Sequence, residues 1–200
     1  VIALAAVVWI FAATAWTTTA AGEQQPVFVS TWGTLGSAPG QFNWPRGIAV
    51  DASGNVYVAD SGNDRVEKFT AAGEFITFWG GYGSGPGQFR QVLGIGIAPN
   101  GEVIVADWWN DRVQRFTSNG TYLGLFGGTG SGPGQMRRPE GIAVDQTGSI
   151  YVADHDNDRL QKYSATGVYQ LAWGSSGTGP GQFDQPSGIA VDDSGNVYVA

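Results

Sequence analysis

The residues with the most to offer chemically are a pair of neighbouring tryptophans, Trp108-Trp109, and a histidine–aspartate pair, His155-Asp156. Near them in sequence lie Arg90, Arg137, Arg138 and Glu140, and earlier in the chain Trp44 and Arg46. Tryptophan offers a flat apolar surface, and arginine a planar set of donors for carboxylate or phosphate. The set therefore suits recognition of anionic groups, sugar rings or partner side chains. Bond-making chemistry has thinner support. His155 is the only histidine, so a zinc site built on several histidines cannot be assembled from these residues, and it reads as a loop side chain. The absence of cysteine removes disulfides and thiolate metal sites without identifying a compartment. No nucleophile and base stand at a telling spacing. The segments GGYGSGPG, GGTGSGPG and GSSGTGPG lack the Lys-Ser/Thr ending of a phosphate loop and open no helix. No catalytic residue, cofactor or metal is implied.

These residues sit inside a repeat. The phrase opened by Gly40-Gln41-Phe42 returns at Gly87, Gly134 and Gly181, each step being 47 residues with no insertion or deletion. A fixed period of that size signals a repeat architecture. Each unit carries four short apolar runs, in the first case Gly47–Asp51, Asn55–Asp60, Arg65–Thr70 and Glu74–Gly80. They are rich in Val, Ile, Tyr and Phe, too short for comfortable helices, and separated by turn signals such as Asp51-Ala52-Ser53-Gly54. Four antiparallel strands per repeat is the reading. Val56 and Val58 on one side of the second run, with Tyr57 and Ala59 on the other, predict burial on both faces. Small sheets stacked face to face around an axis meet that demand, which predicts an all-β fold, a β-propeller of four-stranded blades. The aromatic closing the fourth run (Trp32, Trp79, Phe126, Trp173) is expected to pack between neighbouring blades.

Repetition within one chain separates scaffold from site. Asp60, Asp107 and Asp154 recur, as do Asn63-Asp64-Arg65, Asn110-Asp111-Arg112 and Asn157-Asp158-Arg159. A ring of metal-binding carboxylates is one way to read them. Caps for loop amides, with Asp–Arg pairs tying blades together, is the better one. Strand parity then places the loop between the second and third strands at the same end as the link between blades, the top. Residues that break the template crowd there. Ser61-Gly62, Trp108-Trp109 and His155-Asp156 fill equivalent positions, and Trp44, Arg46, Arg90, Arg137, Arg138 and Glu140 precede the first strands. These six and the two template-breaking pairs Trp108-Trp109 and His155-Asp156 are the candidate ligand-binding residues.

The formal charge of −7 argues against broad attraction to nucleic acid or anionic lipid. The acids at the top (60, 64, 107, 111, 140, 154, 156, 158 and 184) also outnumber the bases (46, 65, 90, 112, 137, 138 and 159). Val1–Ala21 carries no charge and reads as a signal peptide or a membrane anchor, the only part expected to meet a membrane. Residues 1–22 are assigned to that leader, 23–26 to a linker and 27–200 to the propeller. Val27–Gly33 aligns with Glu74–Gly80, a fourth strand that could complete the last blade of a closed ring. The fourth repeat reaches Ala200 within its second strand. Asn119-Gly120-Thr121 is a glycosylation sequon on a bottom turn, relevant in a eukaryotic secretory pathway.

The phrases GIAVDASGNVYVADSGNDRVEKF, GIGIAPNGEVIVADWWNDRVQRF and GIAVDQTGSIYVADHDNDRLQKY resemble the NHL-repeat family. The likeness covers residues 27–200, although here His155 follows Asp154 directly, a departure from the family's Asn-His pattern. The resemblance implies a propeller, commonly six-bladed. It leaves function open, because such folds host RNA- and protein-binding domains, kinase ectodomains and an amidating lyase. The expectation is a non-catalytic propeller, exported or membrane-tethered, that binds a protein, peptide or glycan across its top face. Two alternatives stand beside it. One is a lyase- or lactonase-type enzyme whose metal ligands come mostly from outside residues 1–200. The other is an extracytoplasmic sensor domain of a membrane kinase.

Overall fold

A computed structural model of the chain describes residues 8–11 and 28–200. Three four-stranded antiparallel sheets occupy the three full repeats. Blade 1 comprises Pro45–Val50, Val56–Asp60, Arg65–Phe69 and Phe75–Gly80. Blade 2 comprises Val92–Ile97, Val103–Asp107, Arg112–Phe116 and Tyr122–Gly127. Blade 3 comprises Pro139–Val144, Ile150–Asp154, Arg159–Tyr163 and Tyr169–Trp173. Ile189–Val191 pairs with Val197–Val199 as the opening of a fourth. Strand order within each sheet follows the sequence, and the first strands of successive blades lie side by side.

The local chemistry is as the repeat reading requires. Asp51 starts its turn by accepting the Ser53 and Asn55 amides at 2.9 Å, and Gly54 ends it at φ +82°. All five residues of each second strand are buried, so the blades are covered on both faces. First strands approach closely because small residues face the neighbour. A Cβ on Gly94 would stand 2.0 Å from the Glu140 carbonyl oxygen, so only glycine fits there.

Of the closing aromatics, Trp79 and Phe126 pack between blades as expected. Trp79 is 9% exposed, with its ring centroid 6.3 Å from Tyr57 of its own blade and 5.9 Å from Phe116 of the next. It lies over Gly120 in the bottom turn of blade 2, where a Cβ would meet the indole at 2.6 Å. Phe126 repeats the arrangement against Tyr163, centroids 4.5 Å apart, and against Gly167.

Residues 1–7 and 12–26 of the expected leader and linker lie outside the described residues. Val8–Phe11, inside the expected leader, is a strand paired antiparallel with Phe28–Trp32, the expected orphan fourth strand. Among the described residues no helix is long and apolar enough to cross a membrane.

Candidate functional site

The loop between second and third strands and the link between blades meet at one end, as strand parity demands. That loop is a single 3-10 turn in each blade: Ser61–Asn63, Trp108–Asn110 and His155–Asn157. It is pinned by what lies beneath it. In blade 2 the Asp107 carboxylate accepts from Arg112 Nε at 2.7 Å, Asn110 Nδ2 at 2.9 Å and the Arg90 amide at 2.8 Å. The Arg112 guanidinium donates onward to the carbonyls of Ser84, Gly85 and Gln88 in the incoming link, at 2.8–2.9 Å. Gln114 Nε2 joins the same carboxylate at 3.1 Å. Burial pushes the carboxyls of Asp107 and Asp154 up, against the lowering pull of these donors.

This knot is structural in all three blades, but its wiring differs from expectation. The Asp–Arg pair lies within one blade, Asp107 facing Arg112 across paired strands. The tie between blades is the other aspartate. Asp111 Oδ1 accepts the Arg138 amide in the link to blade 3 at 2.9 Å, as Asp64 does from Gln91 and Asp158 from Gln185. Among the described residues no group of three or more His, Asp or Glu is placed to hold a metal.

Above the knot, six of the ten sequence-selected residues form one contact chain across blades 2 and 3. The Trp108 ring packs edge-on to His155, centroids 4.8 Å apart, so it leans onto the neighbouring blade. His155 Nδ1 lies 2.8 Å from Asp156 Oδ1, and its Nε2 lies 3.7 Å from Glu140 Oε2. Asp156 holds Arg138 Nε at 3.2 Å, and that guanidinium sits 4.3 Å above the Trp109 ring. Trp109 remains 48% exposed, with its indole N–H donated to Gln91 Oε1 at 2.7 Å.

The other four lie around or apart from this cluster. Arg90 accepts the Trp109 amide through its carbonyl at 3.1 Å and extends its guanidinium over Tyr82, 5.8 Å from the ring centroid. Arg137 accepts the Asp156 amide at 3.2 Å while its side chain is exposed. Trp44 and Arg46 belong to blade 1, are exposed, and no contact among the described residues joins them to the cluster. Trp44 is 68% exposed in a left-handed conformation, φ +51°. Its equivalents Gln91, Arg138 and Gln185 share that conformation, so the template imposes it and only the indole is particular to blade 1.

Two contributors were missed, Gln91 and Tyr82. Tyr82 stands where other links carry Thr129 and Ser176, so comparison of copies contains its signal. Gln91 recurs as Gln185, and nothing in the sequence distinguishes it.

Comparison with known proteins agrees with this architecture. The NHL repeat matches residues 42–69, 89–116 and 136–163, one stretch in each full blade, and a beta-propeller repeat matches residues 171–200. The chain belongs to the NHL-repeat β-propellers. Among curated relatives, the human E3 ubiquitin-protein ligase TRIM32 is 44% identical over 54 residues, 27% of this chain and 8% of that protein. A catalytically inactive virginiamycin B lyase from Staphylococcus aureus, solved with quinupristin, superposes with a TM-score of 0.59 at 19% identity. That alignment covers 78% of this NHL-repeat chain and 48% of the lyase. A structural genomics protein from Bacteroides thetaiotaomicron gives a TM-score of 0.62 at 20% identity, covering 86% and 47%. At such identities the likeness concerns the propeller fold alone.

Proposed function

We propose that this NHL-repeat propeller is a non-catalytic binding protein, exported or membrane-tethered, that takes a ligand or partner on its top face at blades 2 and 3. One observation carries the binding reading. The cluster of Trp108, Trp109, Arg138, His155, Asp156 and Glu140 occupies positions that blade 1 fills with Ser61, Gly62, Trp44 and Arg46, so the blade itself does not call for it. An indole left half open to solvent beside a stacked guanidinium is a costly surface unless something covers it. Export rests on the uncharged stretch Val1–Ala21.

The test is the double substitution Trp108→Ser with Trp109→Gly, which copies blade 1. A ligand found by glycan-array and surface-protein screening should lose at least about tenfold in affinity, while the thermal midpoint falls only slightly, through the lost Trp108–His155 contact. Undiminished binding would remove the top face from the account. Export is checked separately, by fractionating cells that express the intact protein and finding whether it leaves the cytosol.

A further inference from the structure

The exposed top carries a strip in which two guanidinium groups and an imidazole alternate with aromatic rings. Arg90 covers Tyr82, Arg138 covers Trp109, and His155 meets Trp108. Backbone and side-chain contacts join them: the Trp109 amide to the Arg90 carbonyl, Arg138 to Asp156, Asp156 to His155. Tyr82, Trp108, Trp109, His155 and Asp156 all break the repeat template. Tyr82 is 71% exposed, so the strip is open at its outer end.

The charge of this surface differs from the formal count of the top. Asp60, Asp107 and Asp154 are buried in pairs with Arg65, Arg112 and Arg159, so those six charges cancel below the surface. Asp64, Asp111 and Asp158 spend a carboxylate oxygen on link amides. Arg90 and Arg137 are exposed, with no carboxylate within ion-pair distance among the described residues. The top thus presents two guanidinium groups without a carboxylate partner, Arg90 over the Tyr82 ring and Arg137 next to Arg138 in the link.

From this we infer that the strip binds an anionic carbohydrate, a chain of sugar rings bearing carboxylates such as a uronate oligomer. The inference rests on the top-face reading above and narrows its ligand. An open indole supplies a surface for the C–H face of a pyranose ring. Glu140 and Asp156 supply acceptors, which suit a ligand rich in O–H donors. Phosphodiester backbones offer few such donors, so these two acceptors favour the sugar chain over them. Arg90 and Arg137 supply the planar forks that pair with sugar carboxylates.

The experiment is calorimetric titration of the intact protein, at low salt, with oligogalacturonate, a neutral galactan oligomer of equal length, and single-stranded oligouridylate. Oligogalacturonate should bind saturably, with the neutral oligomer at least about tenfold weaker and the gap closing as salt is added. Arg90→Gln with Arg137→Gln should cut oligogalacturonate affinity about tenfold and leave the thermal midpoint and neutral-oligomer binding unchanged. Both side chains are exposed, so this variant should fold as the parent does. Equal binding of charged and neutral oligomers, tighter binding of oligouridylate, or no saturation of oligogalacturonate below about 10 mM would overturn the anionic-carbohydrate assignment. If a neutral sugar or a polypeptide binds and Trp109→Gly abolishes it, the top-face reading stands and this assignment fails. If oligogalacturonate binds and the tryptophan double variant changes nothing, the top-face reading itself fails.

Discussion

Two layers of the same loops answer to different demands. The lower layer, the knot of Asp107, Asn110 and Arg112, is written out in each blade around a fully buried aspartate. The upper layer, from Tyr82 to His155, is written once and faces solvent. Only a few residues separate them in sequence: Asp107 anchors the turn that presents Trp108 and Trp109. The contrast teaches that a repeat protein can hold a fixed frame directly beneath a free surface. Residues of the frame should register in stability, and residues of the surface in binding.

Substitutions in the frame should have the largest effects. Trp79→Ala removes an indole wedged among Tyr57, Phe116 and Gly120 and is expected to cost roughly 3–5 kcal/mol in denaturant melts. Asp107→Ala leaves the Arg112 guanidinium buried without its carboxylate, and it too should cost about 3–5 kcal/mol. A loss below about 1 kcal/mol in either would erase the distinction between the layers at its strongest point.

How much of this could be read from sequence follows the same division. The frame was legible because it repeats: the strand phrases, the turn aspartates and the closing aromatics each appear several times, and burial enforces them. Its wiring was less so. By sequence Arg112 has several carboxylates at its end of the sheet to choose from, and only three-dimensional register shows that it faces Asp107 while Asp111 reaches the next blade's link. For the surface, the break in pattern marks Trp108, Trp109, His155 and Asp156, whereas the link from Arg138 to Trp109 and the role of Gln91 depend on rotamers that no spacing encodes. Trp44 and Arg46 broke the pattern equally and stand apart, because off-template residues in different blades need not meet.

The frame is not identical in its three copies, and this gives a middle-sized prediction. Gln114 and Gln161 donate to their blade's aspartate, but blade 1 has Glu67 at that place, fully buried, beside Arg65 and Asp60. Burial pushes the Glu67 carboxyl up to about 7, with Arg65 and the Gly40 amide pulling it down and the Asp60 charge adding to the rise. In the unfolded chain it ionises in the ordinary carboxylate range. The fold therefore holds a proton that the unfolded chain has released, and stability falls as pH rises from about 4.5 through about 7. Glu67→Gln restores the pattern of the other blades. It should raise stability by roughly 1–3 kcal/mol above neutral pH and flatten the pH profile across that window, read as thermal midpoints at pH 5 and pH 8. A variant that stays pH-dependent to the same degree would show that blade 1 satisfies this carboxylate in another way.

The smallest expected effect belongs to the surface and tests the contrast from its other side. Trp109→Ala removes an exposed hydrogen bond to Gln91 and a stacked guanidinium at the protein's edge. Cation–π contacts at exposed sites contribute about 0.5–1 kcal/mol, and the released Gln91 amide can turn to water. The net change in stability should therefore stay below about 1 kcal/mol, small beside the loss at Trp79. Trp108→Ala should cost more than Trp109→Ala, because Trp108 is half-buried against His155 and its counterpart Ser61 is buried too. The comparison of the two neighbours is sharper than either value alone. Two tryptophans adjacent in sequence, one leaning on blade 3 and one open to solvent, should differ in stability in that order. If Trp109→Ala destabilises as much as Trp79→Ala, the upper layer is part of the frame, and the indole is there to hold blades 2 and 3 together through Arg138.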